Sequence, residues 1–224
     1  MHRAKHHRNR PAALPRPHHG RRPLRMESLE RREVLSAAPT VTLLAGLNEL
    51  YIQGTDFGDQ VEITLNAATN QIEVYATSDA MAPGTAVLPK VFDASKINQI
   101  LFSGGKGNDF YANYTGIISQ ADGGAGNDVL IGGADVDVLW GGLGDDWLLG
   151  CDGNDALMGD EGSDVLLGGN GDDWLAGGAD KAVDWLLGGP GKDTFFLPLG
   201  FFNGTEKEMV LDFTMGQDLL MPLP

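Results

Sequence analysis

The sequence predicts an all-β repeat fold, a solenoid of short stacked strands. Three observations predict it. A nine-residue unit recurs from Gly123 without losing phase, its sixth residue is always aspartate, and an apolar residue follows two positions later. Written in nines, the chain reads GGAGNDVLI, GGADVDVLW, GGLGDDWLL, GCDGNDALM, GDEGSDVLL and GGNGDDWLA. An eleven-residue version, GGADKAVDWLL, and then GGPGKDTFF complete the run. The aspartates are Asp128, Asp137, Asp146, Asp155, Asp164, Asp173, Asp184 and Asp193. The apolar residues are Leu130, Leu139, Leu148, Leu157, Leu166, Leu175, Leu186 and Phe195. An isolated earlier copy, GGKGNDFYA, starts at Gly104 and puts Asp109 in the sixth position. Self-similarity at a fixed short period marks a stacked architecture, and low-complexity sequence does not hold such a phase.

Charge divides the chain into a basic head and an acidic body. Residues 1–33 hold ten basic residues against Glu27, Glu30 and Glu33, a net of +7, whereas the remaining residues hold six against twenty-eight, a net of −22. All five histidines lie before residue 20, so the body has no Ser-His-Asp, Cys-His or histidine-zinc site. One cysteine, Cys151, excludes an internal disulfide framework. The acidic body repels phosphate backbones, which argues against nucleic acid, and it suits hard cations. No apolar run approaches the roughly 18 residues that span a bilayer.

Residues 1–37 come first. This stretch is basic, Pro-rich and without apolar period, so it is expected to be disordered. It reads as a targeting segment or as a solvated tail, and the start is either Met1 or Met26. Within it, Leu29-Glu30-Arg31-Arg32-Glu33-Val34-Leu35-Ser36 resembles the Leu-Glu-x-Arg-x-x-Leu-Ser motif near the N-terminus of many planctomycete surface and secreted proteins. That resemblance implies export.

Residues 38–103 follow as an expected β-rich entry cap. Val41–Leu44, Leu50–Ile52, Val61–Leu65, Ile72–Tyr75 and Ile97–Phe102 are short β-like runs between turn signals. Gly54–Val61 is a loose repeat with Asp59 sixth and Val61 eighth. Residues 104–196 are the array and residues 197–224 a closing cap.

The nonapeptide resembles the RTX (repeat-in-toxin) family, whose repeat G-G-x-G-x-D-x-U-x binds calcium on a β-helix. The resemblance implies a right-handed parallel β-roll in which two nonapeptides make one coil. It implies ions between loops i and i+2, at most about six in the main run. The chemistry agrees with the residue types. Glycines at the first, second and fourth positions admit left-handed backbone and close approach, and aspartate adds a carboxylate. Oxygen-only coordination suits Ca²⁺ better than Mg²⁺ or zinc. The expected metal-binding residues are Asp109 and the eight array aspartates. With them go Gly123, Gly126, Gly141, Gly144, Gly150, Gly153, Gly159, Gly162, Gly168 and Gly171. Three departures from the motif stand out. Asp135 occupies a fourth position and is expected to take left-handed backbone there; Cys151 and Asp160 occupy second positions. The two extra residues before Asp184 are expected to distort its loop.

The array carries fifteen acidic residues against Lys181 and Lys192, and one buried leucine per repeat cannot offset the ordering of nine residues. Folding is therefore expected to need calcium, with weak affinity of about 10⁻⁴–10⁻³ M, which fills outside cells. The strand positions flanking the inward leucine face out and carry Trp140, Trp147, Trp174 and Trp185, a cover for the sheets or a surface for self-association or a glycan. After the array, Asp212-Phe213 and Gly216-Gln217-Asp218 look like the closing segment of many RTX arrays. The expected function is a non-enzymatic, secreted, calcium-binding structural or adhesion module. The alternatives are an accessory module of an extracellular lyase, epimerase or protease, or a toxin fragment.

Overall fold

The computed structural model describes residues 38–82, 85–198, 208–215 and 217–223. The basic head and its export-like motif lie outside the described residues.

The expected all-β roll is present. Its strands are β1 (Thr40–Leu44), β2 (Glu49–Gln53), β3 (Asp59–Asn66), β4 (Gln71–Ser78), β5 (Lys90–Asp93), β6 (Gln99–Lys106), β7 (Phe110–Tyr114), β8 (Ser119–Ala125) and β9 (Val129–Ile131). They continue as β10 (Asp137–Leu143), β11 (Trp147–Asp152), β12 (Ala156–Glu161), β13 (Val165–Asn170), β14 (Trp174–Ala176), β15 (Trp185–Leu187), β16 (Thr194–Leu197), β17 (Met209–Val210) and β18 (Leu219–Pro222). They form two nine-stranded sheets. The first runs β1-β2-β6-β8-β10-β12-β14-β16-β18 and the second β17-β15-β13-β11-β9-β7-β3-β4-β5. Successive array strands alternate between the sheets, so two nonapeptides make one coil.

Side chains alternate across a strand, so a three-residue strand turns its middle residue one way and its neighbours the other. The middle residue here is the leucine. Leu130, Leu139, Leu157, Leu166, Leu175 and Leu186 are wholly buried, as is Phe195. Parallel register stacks them directly, Leu139 on Leu157 in the first sheet and Leu148 on Leu166 in the second. Two such ladders, one from each sheet, make the core of the array, with Phe195 closing one of them.

Coil geometry starts well before Gly104. β2 pairs in parallel with β6, Leu50 opposite Ile100, and β3 pairs in parallel with β7. The loose repeat at Gly54–Val61 thus forms a coil, and the expected boundary at residue 104 falls inside β6. Between these coils β4 and β5 extend β3 as an antiparallel meander, while β1 lies antiparallel on β2. At this end the same apolar core that runs through the array holds bulkier side chains. Ile52, Ile63, Ile72, Val74 and Ile100 fill it, and Phe102 stacks on Tyr111 with ring centroids 4.9 Å apart. At the other end β17 and β18 pair in parallel with β15 and β16, adding one last coil. Among the described residues no helix is long and apolar enough to cross a membrane.

Candidate metal centre

The candidate site is repetitive: it is the row of corners where the chain turns from one sheet into the other. Each corner is built by glycines doing different jobs. In the repeat from Gly141, Gly142 and Gly144 adopt φ of +109° and +124°, which side chains disfavour. Gly141 is not left-handed, but a Cβ there would meet Oδ2 of its own Asp146 at 2.3 Å and the Gly159 carbonyl at 2.8 Å. First-position glycines therefore exist because the repeat's own carboxylate folds back over them. The expected residues divide accordingly: Gly123, Gly141, Gly150, Gly159 and Gly168 make the close approach, and Gly126, Gly144, Gly153, Gly162 and Gly171 take positive φ. Cys151 and Asp160 accept glycine-like backbone at φ of 83° and 73°.

One expectation needs correction. Asp135 is not left-handed, and neither is Gly133. That corner follows another path, in which the Gly133 N–H donates to Asp137 Oδ2 at 2.5 Å. The insertion before Asp184 distorts the loop as expected, for Gly178 does not take the positive φ of most other second-position glycines, but Asp184 keeps its place. Asp184 is fully buried and accepts from the Asp164 N–H at 2.8 Å. The extra residues are absorbed upstream, where Lys181 takes φ of 79°.

The carboxylates form two ladders. On one edge the Asp59 N–H donates to Asp109 Oδ1, Asp109 to Asp128 and Asp128 to Asp146, each at 2.7 Å. Asp146 then donates to Asp164 at 2.8 Å, and Asp184 to Glu208 Oε2 at 3.3 Å. On the other edge the Ser119 N–H donates to Asp137, Asp137 to Asp155, Asp155 to Asp173, Asp173 to Asp193 and Asp193 to Asp218, at 2.7–3.1 Å. All nine expected aspartates are buried in these ladders. Ser119, Glu208 and Asp218 extend them. Asp218 had a signal in the closing segment, whereas Ser119 and Glu208 stand in no repeat and only the coil geometry finds them.

Each ladder uses Oδ1. The second oxygen separates the members. Oδ2 of Asp109, Asp128, Asp146, Asp155, Asp164, Asp173, Asp184 and Asp193 is buried with no hydrogen-bond partner. Oδ2 of Asp59, Asp137 and Asp218 instead accepts from the N–H of Thr55, Gly133 and Thr214. A buried anionic oxygen without a donor is costly, and it raises the pKa. Burial, with neighbouring carboxylates adding to it, pushes Asp109 up to about 8 and Asp146, Asp155 and Asp164 to about 7. Burial likewise lifts Asp128 and Asp173 to about 6. Glu208, half-buried beside Asp184, rises to about 8 through lost solvation and the neighbouring carboxylate.

These corners fit a hard cation. For Asp109, Asp128, Asp146, Asp155, Asp164 and Asp173 the orphan Oδ2 and a glycine carbonyl of the next coil crowd the same first-position glycine, as Asp128 Oδ2 and the Gly141 carbonyl do at Gly123. Among the described residues no three carboxylate, imidazole or thiol side chains converge. An ion here would take its remaining ligands from backbone carbonyls and water, as the oxygen-rich shell of calcium allows.

Comparison with known families agrees with this geometry. Residues 120–148 and 149–181 match the RTX calcium-binding nonapeptide repeat, in four copies. No curated protein matches the chain.

Proposed function

Residues 120–181 being RTX calcium-binding repeats, we propose that the chain is a non-catalytic, calcium-stabilised roll that works outside the cell as a structural or adhesion module. The observation that carries this reading is the row of eight buried Oδ2 atoms without a donor. Calcium bound at the corners would neutralise them and tie each coil to the next. The chain's own groups do the rest. Asp Oδ1 holds the coil register through the N–H of the previous coil, the first-position glycine leaves room for Oδ2, and the left-handed glycines turn the backbone.

Two arguments support an extracellular setting. Sites built from one or two carboxylates and carbonyls bind weakly, in the range of about 10⁻⁴–10⁻³ M, and fill only where calcium is abundant. A net charge of −22 outside the head keeps the roll soluble and away from nucleic acid. A non-catalytic role fits the carboxylates, which are buried and committed to the ladders rather than turned toward a substrate.

The test is a calcium titration of the chelated full chain followed by far-UV circular dichroism. A cooperative gain of β signal at sub-millimolar to millimolar calcium is expected. A chain already fully β in chelator, or one indifferent to calcium, overturns the reading.

A further inference from the structure

The outer face of the second sheet carries a row of side chains in direct cross-strand register: Phe110, Val129, Trp147, Val165, Trp185 and Met209. An aromatic ring recurs on every second strand. Trp147 is 60% exposed and Trp185 45%, the value for a surface rather than a core. We propose that this row is a stacking platform for an extended, neutral β-1,4-linked polysaccharide of the cellulose or chitin type. The proposal rests on the extracellular calcium-stabilised roll, which holds the strands in register.

The spacing argues for this ligand. Neighbouring strands lie about 4.8 Å apart, so the rings recur at about 9.6 Å. That is close to the disaccharide repeat of an extended β-1,4-linked chain, in which every second sugar presents the same face. One ring thus meets one disaccharide, and Phe110, Trp147 and Trp185 span two units. The electron-rich face of an aromatic ring attracts the polarised C–H bonds of a sugar face. Exposed Asn108, Asn127, Asp145 and Ser163 stand two residues before the row, on the loops entering these strands, where sugar hydroxyls need polar neighbours.

Charge and area exclude other occupants. The row holds no charged residue, while the body around it is strongly acidic. Polyuronates, sulfated glycans and nucleic acids are repelled and a neutral polymer is not. Six strands at about 4.8 Å and three residues at about 3.3 Å give a strip of only a few hundred Å². A stable dimer needs about 800 Å² per partner, so a second copy is poorly served. The first sheet lacks the pattern. Trp140 and Trp174 stand at different strand positions there, and Trp174 packs on Phe196 with centroids 5.4 Å apart.

The experiment uses the calcium-loaded full chain, with pull-down on crystalline cellulose and chitin and calorimetry with cellohexaose and chitohexaose. Binding to the solids alone points to a packed polysaccharide surface, and binding to the hexaoses as well points to single chains; either supports the proposal. Trp147→Ala and Trp185→Ala are each expected to weaken binding about tenfold, and the pair to abolish it, while Trp147→Phe retains it. Trp174→Ala on the opposite sheet leaves it unchanged. Circular dichroism of each variant in calcium checks the fold. A folded chain that binds none of these glycans overturns the platform and leaves calcium binding standing. So does tighter binding to alginate, equal loss in Trp174→Ala, or light scattering that shows a Trp147-dependent dimer. A chain folded without calcium instead refutes the functional reading, and the same pull-down then tests the platform alone.

Discussion

Single carboxylates decide what this roll needs. Asp155 and Asp137 occupy the same ladder and both are buried, yet only Asp155 leaves Oδ2 without a partner. Asp155→Asn keeps an acceptor for the Asp137 N–H but removes the charge. It should raise the midpoint of the calcium titration by about tenfold, roughly 1.4 kcal/mol. Asp137→Asn, whose two oxygens already accept N–H groups, should shift the midpoint far less. Equal shifts would show that the orphan oxygen is not the feature that matters. The same oxygens set a pH dependence. A carboxylate whose pKa is higher in the folded chain than in the unfolded one favours folding at low pH. That contribution is complete below about pH 4, the ordinary carboxylate range, and fades as pH climbs through the raised values of about 6 to 8. The chelated protein is therefore expected to gain β signal between pH 8 and pH 5, protons standing in for calcium. In calcium, acidification should raise the metal midpoint because protons compete for the same oxygens. A chelated chain equally unfolded at both pH values contradicts this.

At the scale of the strand, the array rests on two ladders of leucines, one in each sheet, and two of aspartates. Leu157 is fully buried between Leu139 and Leu175. Leu157→Ala should cost about 2–5 kcal/mol in the calcium-loaded protein, read by thermal or urea unfolding. A loss under 1 kcal/mol would mean that the core is looser than the stacking implies. Most of this element was legible in the sequence. The period of nine gave the strand, the turn and the inward leucine, because a fixed repeat leaves each residue in the same surroundings in every coil. The repeat did not give the path of the corner at Asp135. There a hydrogen bond from Gly133 to Asp137 replaces left-handed backbone, and that bond depends on the shape of the neighbouring coil.

At the scale of the whole roll, the described residues join a middle of calcium-binding repeats to ends that lean on other forces. The first coils bury Ile52, Ile63, Ile72, Val74 and Ile100 around stacked Phe102 and Tyr111, and Asp59 accepts from Thr55 without need of an ion. β17 and β18 close the other end, with Val210 on Leu186, Leu220 on Phe195, and Phe213 edge-on to Phe195 at 6.4 Å. Solenoids need such caps, because an open coil exposes both its core and its backbone. Removal of residues 209–224 should lower the calcium-loaded melting temperature and raise the calcium midpoint; an unchanged melting curve would show the last coil to be dispensable. By itself the sequence determined the β class, the buried leucines and the recurring carboxylates, since each follows from a local period and from the chemistry of a residue type, while the two-repeat coil was implied by the resemblance of the nonapeptide to the RTX repeat. Only the tertiary structure decided that Ser119 and Glu208 belong to the ladders, that three carboxylates are satisfied by backbone while eight are not, and that three aromatic rings fall into one row. Those facts depend on which residues meet one coil away, across separations of 18 to 50 residues that no local pattern encodes.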